Sequence, residues 1–227
     1  MGRGSSAWMG SLWALVRKDL LEEFRTRYAF NSLLMFAVTT LVMVSFAVGI
    51  YALDPGLHAA FIWIIIFFSA MSGVGRSFVK EEEKGTAHAL RLSAPPEIIY
   101  LGKLLFNLLL VGVLTVLILP LYYILMAPPP TNTGLLITVA FLGVFCLASA
   151  TTILSAIVSR AGGSNTLLPI LSFPVLLPVL VTAISATQRA LQQVPWAEAL
   201  SELQFLFSYG VVITIASLLL FAYVLND

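Results

Sequence analysis

Charge is scarce in this sequence. Of 227 residues only 23 are Asp, Glu, Lys or Arg, about 10%, where a soluble domain carries roughly 25%. With 59% hydrophobic residues and a mean hydropathy of +0.99, that shortage excludes a soluble domain and places the chain among membrane proteins. A net charge of +1 without a basic tail gives no reason to expect a nucleic-acid partner. The single cysteine, Cys146, excludes an intrachain disulfide, and its apolar surroundings suit a small core residue. Histidine is equally rare. His58 and His88 fall on opposite sides of the membrane in the topology derived below, so they share no site. There is no G-x-x-x-x-G-K-[ST] loop to cradle ATP phosphates, and no charge inside an apolar run to relay protons. Catalysis by this chain alone is not expected.

Long apolar runs are what the chain has in quantity. Six segments reach the roughly 20 residues needed to cross hydrocarbon: about 29–52, 57–75, 104–127, 134–158, 165–186 and 204–225. The fold class is therefore an all-α membrane protein with six transmembrane helices. Basic residues set its orientation. With the N-terminus inside, Arg3, Arg17, Lys18, Arg25, Arg27, Arg76, Lys80, Lys84, Arg91, Lys103 and Arg160 are cytoplasmic and only Arg189 is external, eleven to one. Both termini are thus expected in the cytoplasm.

Residues 1–28 form the first of two expected regions. "AWMGSLWALV" has the apolar core of a signal peptide, but "RKDLLEEFRTR" follows it in place of a small-residue cleavage site. Trp8, Leu12, Val16, Leu20, Phe24 and Tyr28 recur every fourth residue, with Lys18, Glu22, Arg25 and Arg27 on other faces. This predicts an amphipathic interfacial helix, either an anchor for the first span or a lever to a cytoplasmic partner.

The second region, 29–227, holds the spans. Ser69, Ala70, Ser72, Gly73 and Gly75 offer close helix approach in the second. The fourth carries Gly143, Ser149, Thr151, Thr152 and Ser155, whose hydroxyls can bond across helices or to their own carbonyls. Trp63 and Trp196 are expected at the outer interface, and 187–203 is expected as a longer, mildly amphipathic outer linker.

Two stretches stand out. "RSFVKEEEKGTAHALRLSAPPEIIYLGK", residues 76–103, joins the second and third spans and carries nine of the 23 charges. Its Gly85-Thr86 turn and Pro95-Pro96 break predict a helix-turn-helix protrusion, with Pro96-Glu97 opening the second helix. "NTLLPILSFPVLLPVLVTA", residues 165–183, spans hydrocarbon while carrying Pro169, Pro174 and Pro178, each without a backbone N–H. The carbonyls of Asn165, Ile170 and Pro174 lose their donors. Ser164, Asn165, Thr166 and Ser172 are expected to take up some of them, and the helix is expected to bend, as a fixed kink or as a moving joint.

These features carry a resemblance. Six spans, an N-terminal interfacial helix and the [KR]-E-x-E-x-G-T pattern of "KEEEKGT" resemble the membrane subunit of type-2 ABC exporters. The whole loop together with the triple-proline span is similar, more narrowly, to the haem exporter B (CcmB) family of the bacterial cytochrome c maturation system, along nearly the whole chain. The resemblance implies a multi-pass protein of the bacterial inner membrane, present in two copies with two separate ATP-binding subunits. The 76–103 loop would dock on the ATPase. Glu81, Glu82, Glu83, Lys84 and Arg91 would orient it, Leu90, Leu92 and Ile98 would fill a groove, and Gly85-Thr86 would make the turn. It further implies a haem-handling membrane subunit (C), a small helical subunit (D) and a haem chaperone (E). ATP and magnesium would sit on the partner ATPase, haem would be handled by the complex, and no cofactor is expected on this chain alone. A permease for a lipid or drug, or a non-transporting scaffold for haem-handling proteins, are the alternatives.

Overall fold

The computed structural model describes residues 3–48, 53–74, 78, 81, 85, 94–160 and 167–226. Every regular element among them is helical. They are α1 (Arg3–Thr26), α2 (Tyr28–Val48), α3 (Pro55–Val74), α4 (Pro96–Met126), α5 (Thr133–Arg160), α6 (Leu167–Leu191), a 3-10 turn (Trp196–Ala199) and α7 (Leu200–Asn226). Six helices are long and apolar enough to cross a membrane, and the protein is a multi-pass membrane protein.

α3 and α5 form the centre, each about 67% buried along its most apolar stretch, against 17% for α2. α5 packs on α3, α4, α6 and α7, while α2 touches mainly α3 and α4. Small residues set these approaches. A methyl group on Gly73 would lie 2.4 Å from Leu33 Cγ, and one on Gly143 only 2.0 Å from Trp63 Cη2. The α5 hydroxyls bond in both expected ways. Thr151 and Thr152 donate to the carbonyls of Leu147 and Ala148. Asn107 Nδ2 of α4 donates to Thr152 Oγ1, and Thr214 of α7 to Ser149 Oγ.

The ends of the helices differ from the sequence expectation in two places. α4 runs unbroken from Pro96, so residues 96–103 are the first two turns of the third span rather than part of a separate protrusion. Its 31 residues extend about 46 Å, well beyond a hydrocarbon core of roughly 30 Å. Glu97 and Lys103 interrupt hydropathy, not helical geometry. Likewise α6 continues to Leu191, and Trp196 starts the next turn, which leaves a tight linker in place of the expected segment 187–203. Thr187, Gln188 and Arg189 carry the helix onward, and Leu191 and Leu203 are buried. Local chemistry closes the connections. Asn132 caps α5 through Oδ1 to the Leu135 N–H at 3.2 Å. Ala127 ends α4 in the left-handed region at φ 41° before three prolines.

Candidate functional site

The charged region at the N-terminal side is assembled from three separate segments. α1 turns Leu12, Val16 and Asp19 inward against α4. The stripe read every fourth residue drifts around the helix, since 3.6 residues make a turn. Trp8 and Phe24, at its ends, are exposed. Close packing of α1 on α4 uses Gly102, where an added Cβ would stand 3.2 Å from Leu15 Cβ. The next residue is Lys103. Its ammonium lies 2.9 Å from Asp19 Oδ2 and 3.1 Å from Glu81 Oε1. Lys18 closes the group at 2.6 Å from the same Glu81 oxygen. Asp19, Glu81 and Lys103 are each 6–7% exposed, while the Lys18 side chain is 46% exposed.

Among the described residues the ion pairs join two cations to two anions, and that balance of charge is what makes their burial tolerable. Lys103 also stands 5.9 Å above the Phe78 ring centroid, and Phe78 packs against Phe221 of α7. The first arm of the 76–103 loop is thereby tied to α1, α4 and α7. For Lys18, burial acts to lower the ammonium's pKa. The hydrogen bond and charge of Glu81, with Asp19 and Glu22, outweigh it and leave the pKa above the ordinary 10.5.

Of the loop residues named from sequence, Glu81, Gly85 and Ile98 are described. Glu82, Glu83, Lys84, Thr86, Leu90, Arg91 and Leu92 lie outside the described residues, as does His88. Glu81 points into the ion cluster, and Ile98 is buried at 3% exposure. Both face the chain's own interior, where the first two turns of α4 pack. Gly85 is exposed in a turn at φ 67°, the left-handed region that suits glycine.

The prolines of α6 divide into two kinds. Pro169 occupies the first helical turn, where a backbone N–H has no intrahelical partner in any case. Pro174 and Pro178 lie inside the helix, and both are exposed. Ser172, expected to serve a freed carbonyl, instead has a buried hydroxyl with no hydrogen-bond partner. Its Oγ faces the packed side, and the prolines face away from it. Tyr209 of α7 supplies a donor to the Val175 carbonyl, next to the Pro174 carbonyl that Pro178 leaves without an N–H. Thr182 Oγ1 donates to the Pro178 carbonyl at 2.9 Å. Ser164, Asn165 and Thr166 lie outside the described residues.

Among the described residues, the far side is held by neutral groups and one ion pair. His58 is 3% exposed, with Nδ1 2.9 Å from the Tyr122 hydroxyl, which donates to the His58 carbonyl at 3.3 Å. Trp63, expected in an interfacial belt, is instead 1% exposed. Gly143 makes room for its ring, and Nε1 donates to Thr187 Oγ1 at 2.9 Å. Trp196 remains exposed beside Gly134. Arg189 spans the α6–α7 turn, 2.7 Å from Glu202 Oε1.

Lys18, Asp19 and Lys103 are the residues that sequence reasoning did not assign to the site. A signal existed for one of them: Asp19 stands three residues after Val16 and four before Glu23, on the inward stripe of an otherwise apolar face. Nothing local marked Lys103 as its partner.

The profile of the CcmB protein family matches residues 10–225. "Heme exporter protein B" of Bradyrhizobium diazoefficiens is 25% identical over 185 residues, covering 81% of this chain and 83% of its own. The protein of the same name from Pseudomonas aeruginosa is 26% identical over 171 residues, 73% of this chain and 74% of its own. The match begins within α1 and ends in the last turn of α7, so it takes in all six spans, the proline-bearing α6 and all three segments that build the ion cluster: the chain belongs to the CcmB protein family.

Proposed function

We propose that this chain is the membrane subunit of an ATP-driven haem-exporter complex for cytochrome c biogenesis, and that it couples hydrolysis on a partner subunit to haem delivery or to release of a haem-loaded chaperone. Family membership and the names of the two relatives support the haem-exporter part. The observation that supports coupling is the ion cluster. A loop that must transmit displacement into a bundle needs a rigid joint to the helices it moves, and Glu81 joins the 76–103 loop to α1 and α4 through Lys18, Asp19 and Lys103. Gly85, at a sharp exposed turn four residues later, leaves the tip of the loop for the ATPase.

Under this reading the N-terminal side faces the cytoplasm of the inner membrane. Two copies pair with two ATPase subunits, alongside a haem-handling subunit, a small helical subunit and the chaperone. The chain itself is not the enzyme. Glu82 and Lys84 orient the ATPase, while Glu81 acts from inside by holding the loop against α4, in whose first turn Ile98 is buried.

The test is co-purification of the ATP-binding subunit together with ATP-dependent release of the haem-loaded chaperone. Glu82→Lys and Gly85→Leu should leave the chain inserted but lose the ATPase or uncouple release. Full association and full release in both variants would reduce the loop to a connector. Orientation is checked separately in a Cys146→Ser background: cysteines at Asn132 and Gln192 should react with an impermeant thiol reagent added outside, and one at Thr86 should not.

A further inference from the structure

A cavity of about 380 Å³ opens at the elbow between α1 and α2, where both meet α4. Its lining has two characters. Leu20, Phe106, Leu109, Leu110 and Val113 make an apolar trough, and Glu23, Arg27 and Asn31 make a polar end. From Phe106 to Val113 the trough follows α4 for about 10 Å. Phe24, Leu109 and Val113 are 46–73% exposed, so it opens sideways on the surface that candidate spans turn toward lipid.

The polar end is held by the backbone. Arg27 sits in the left-handed region at φ 52°, uncommon for a residue with a Cβ. Its N–H donates to the Glu23 carbonyl at 2.6 Å, and its own carbonyl accepts from the Asn31 N–H at 3.0 Å. Glu23 is committed as well, with Oε1 accepting from the Phe30 N–H at the start of α2 at 2.8 Å. The elbow thus sets the backbone of an exposed arginine at one end of an apolar trough.

We propose that this groove binds a glycerophospholipid, with one acyl chain along Phe106–Val113 and the phosphodiester on Arg27, assisted by the Asn31 amide. Lipid tails are as apolar as the trough, so the chain gains little by leaving the bilayer. Selectivity has to come from the head group. An arginine suits a phosphate both by charge and by its planar donor fork. The bound lipid would stand one turn along α4 from Lys103 and one residue along α1 from Asp19. It would buttress the same α1–α4 junction that the ion cluster ties.

The test uses the assembled complex reconstituted in vesicles containing phosphatidylglycerol with a photoreactive group midway along one acyl chain. After irradiation, labelled peptides are mapped by mass spectrometry. Labelling at Leu109 and Val113 should exceed that at the similarly exposed Phe173 and Leu177 of α6 by about fivefold, the factor expected from one basic residue near the membrane surface. Arg27→Glu should abolish the excess. Val113→Trp, which fills the trough, should do the same while leaving insertion intact. Arg25→Glu, exposed but outside the lining, should leave it unchanged. Excess glycerol phosphate should not compete, and displacement by it would assign the site to a water-soluble phosphate instead. Even labelling around the bundle, labelling indifferent to Arg27→Glu, or protection of the groove by another subunit would each overturn the proposal.

Discussion

The two ends of this bundle are held by different chemistry. At the N-terminal side three nearly buried charges and one half-exposed lysine join segments that lie far apart in sequence. At the far side the long-range contacts among the described residues are neutral, His58 with Tyr122 and Trp63 with Thr187, and their one ion pair, Arg189 with Glu202, only spans a turn. A buried charge that loses its partner is far more costly than a hydroxyl or indole that loses one. The N-terminal end is therefore fixed in geometry but intolerant of charge removal, whereas the far end yields in smaller steps. Under the proposed coupling role, that asymmetry would suit a loop side that takes up force and a far side that need only stay packed.

The largest expected effect tests the charged end directly. Lys103→Met removes the buried cation that lies between the Asp19 and Glu81 carboxylates, and should cost roughly 3–5 kcal/mol. The measurement is the melting temperature of the purified protein in detergent. Adding Asp19→Asn restores the balance of charge among these residues and should recover part of the loss. If Lys103→Met proves no worse than removal of Lys18, the cluster does not hold this end.

At the far end, Gly143→Ala would place a methyl group 2.0 Å from Trp63 Cη2. Overpacking of that kind costs about 1–3 kcal/mol, and Trp63 fluorescence should change as the ring is displaced. Tyr122→Phe should cost about 1–2 kcal/mol, because it leaves His58 Nδ1 without its buried partner. A loss as large as that for Lys103→Met would erase the contrast between the two ends.

The smallest effect is expected at Lys18. With 46% of its side chain exposed, Lys18→Met should cost less than about 1 kcal/mol. Its pKa in the folded protein lies above 10.5, so the contribution is complete below that value and is lost as pH rises through the folded pKa. The stability difference between wild type and Lys18→Met should therefore be flat from neutral pH to about 10 and shrink above it. A difference that vanished near neutral pH would mean that the Lys18–Glu81 contact is not formed.

The triple-proline span shows how far sequence carries in one place. That Pro174 and Pro178 sit within a helix follows from an apolar run too long to be anything else. Which groups would serve the disturbed carbonyls did not follow. Ser172, the nearest hydroxyl in sequence, points into the packing without a partner, and Tyr209, 34 residues away on α7, donates to the Val175 carbonyl beside the one that Pro178 frees. Pro120, inside α4, leaves no mark on the hydropathy pattern, because a single proline in a long apolar run leaves the span as long and as apolar as before.

By itself the sequence determined the class of the protein, six spans, a helical α1, the turn at Gly85 and the close approach at Gly73, because apolar length, charge placement and the absence of a side chain act locally. Family likeness was legible for the same reason, being carried by contiguous motifs. Only tertiary structure decided that Lys103 meets Asp19 across 84 residues of sequence and that Trp63 reaches Thr187 across 124. It also decided that α4 and α6 continue past the polar residues that end their apolar runs. Hydropathy reports where a helix would leave hydrocarbon, not where its backbone bonds stop. A buried ion cluster assembled from α1, the 76–103 loop and α4 has no local period to announce it, because each charge becomes favourable only when the others arrive.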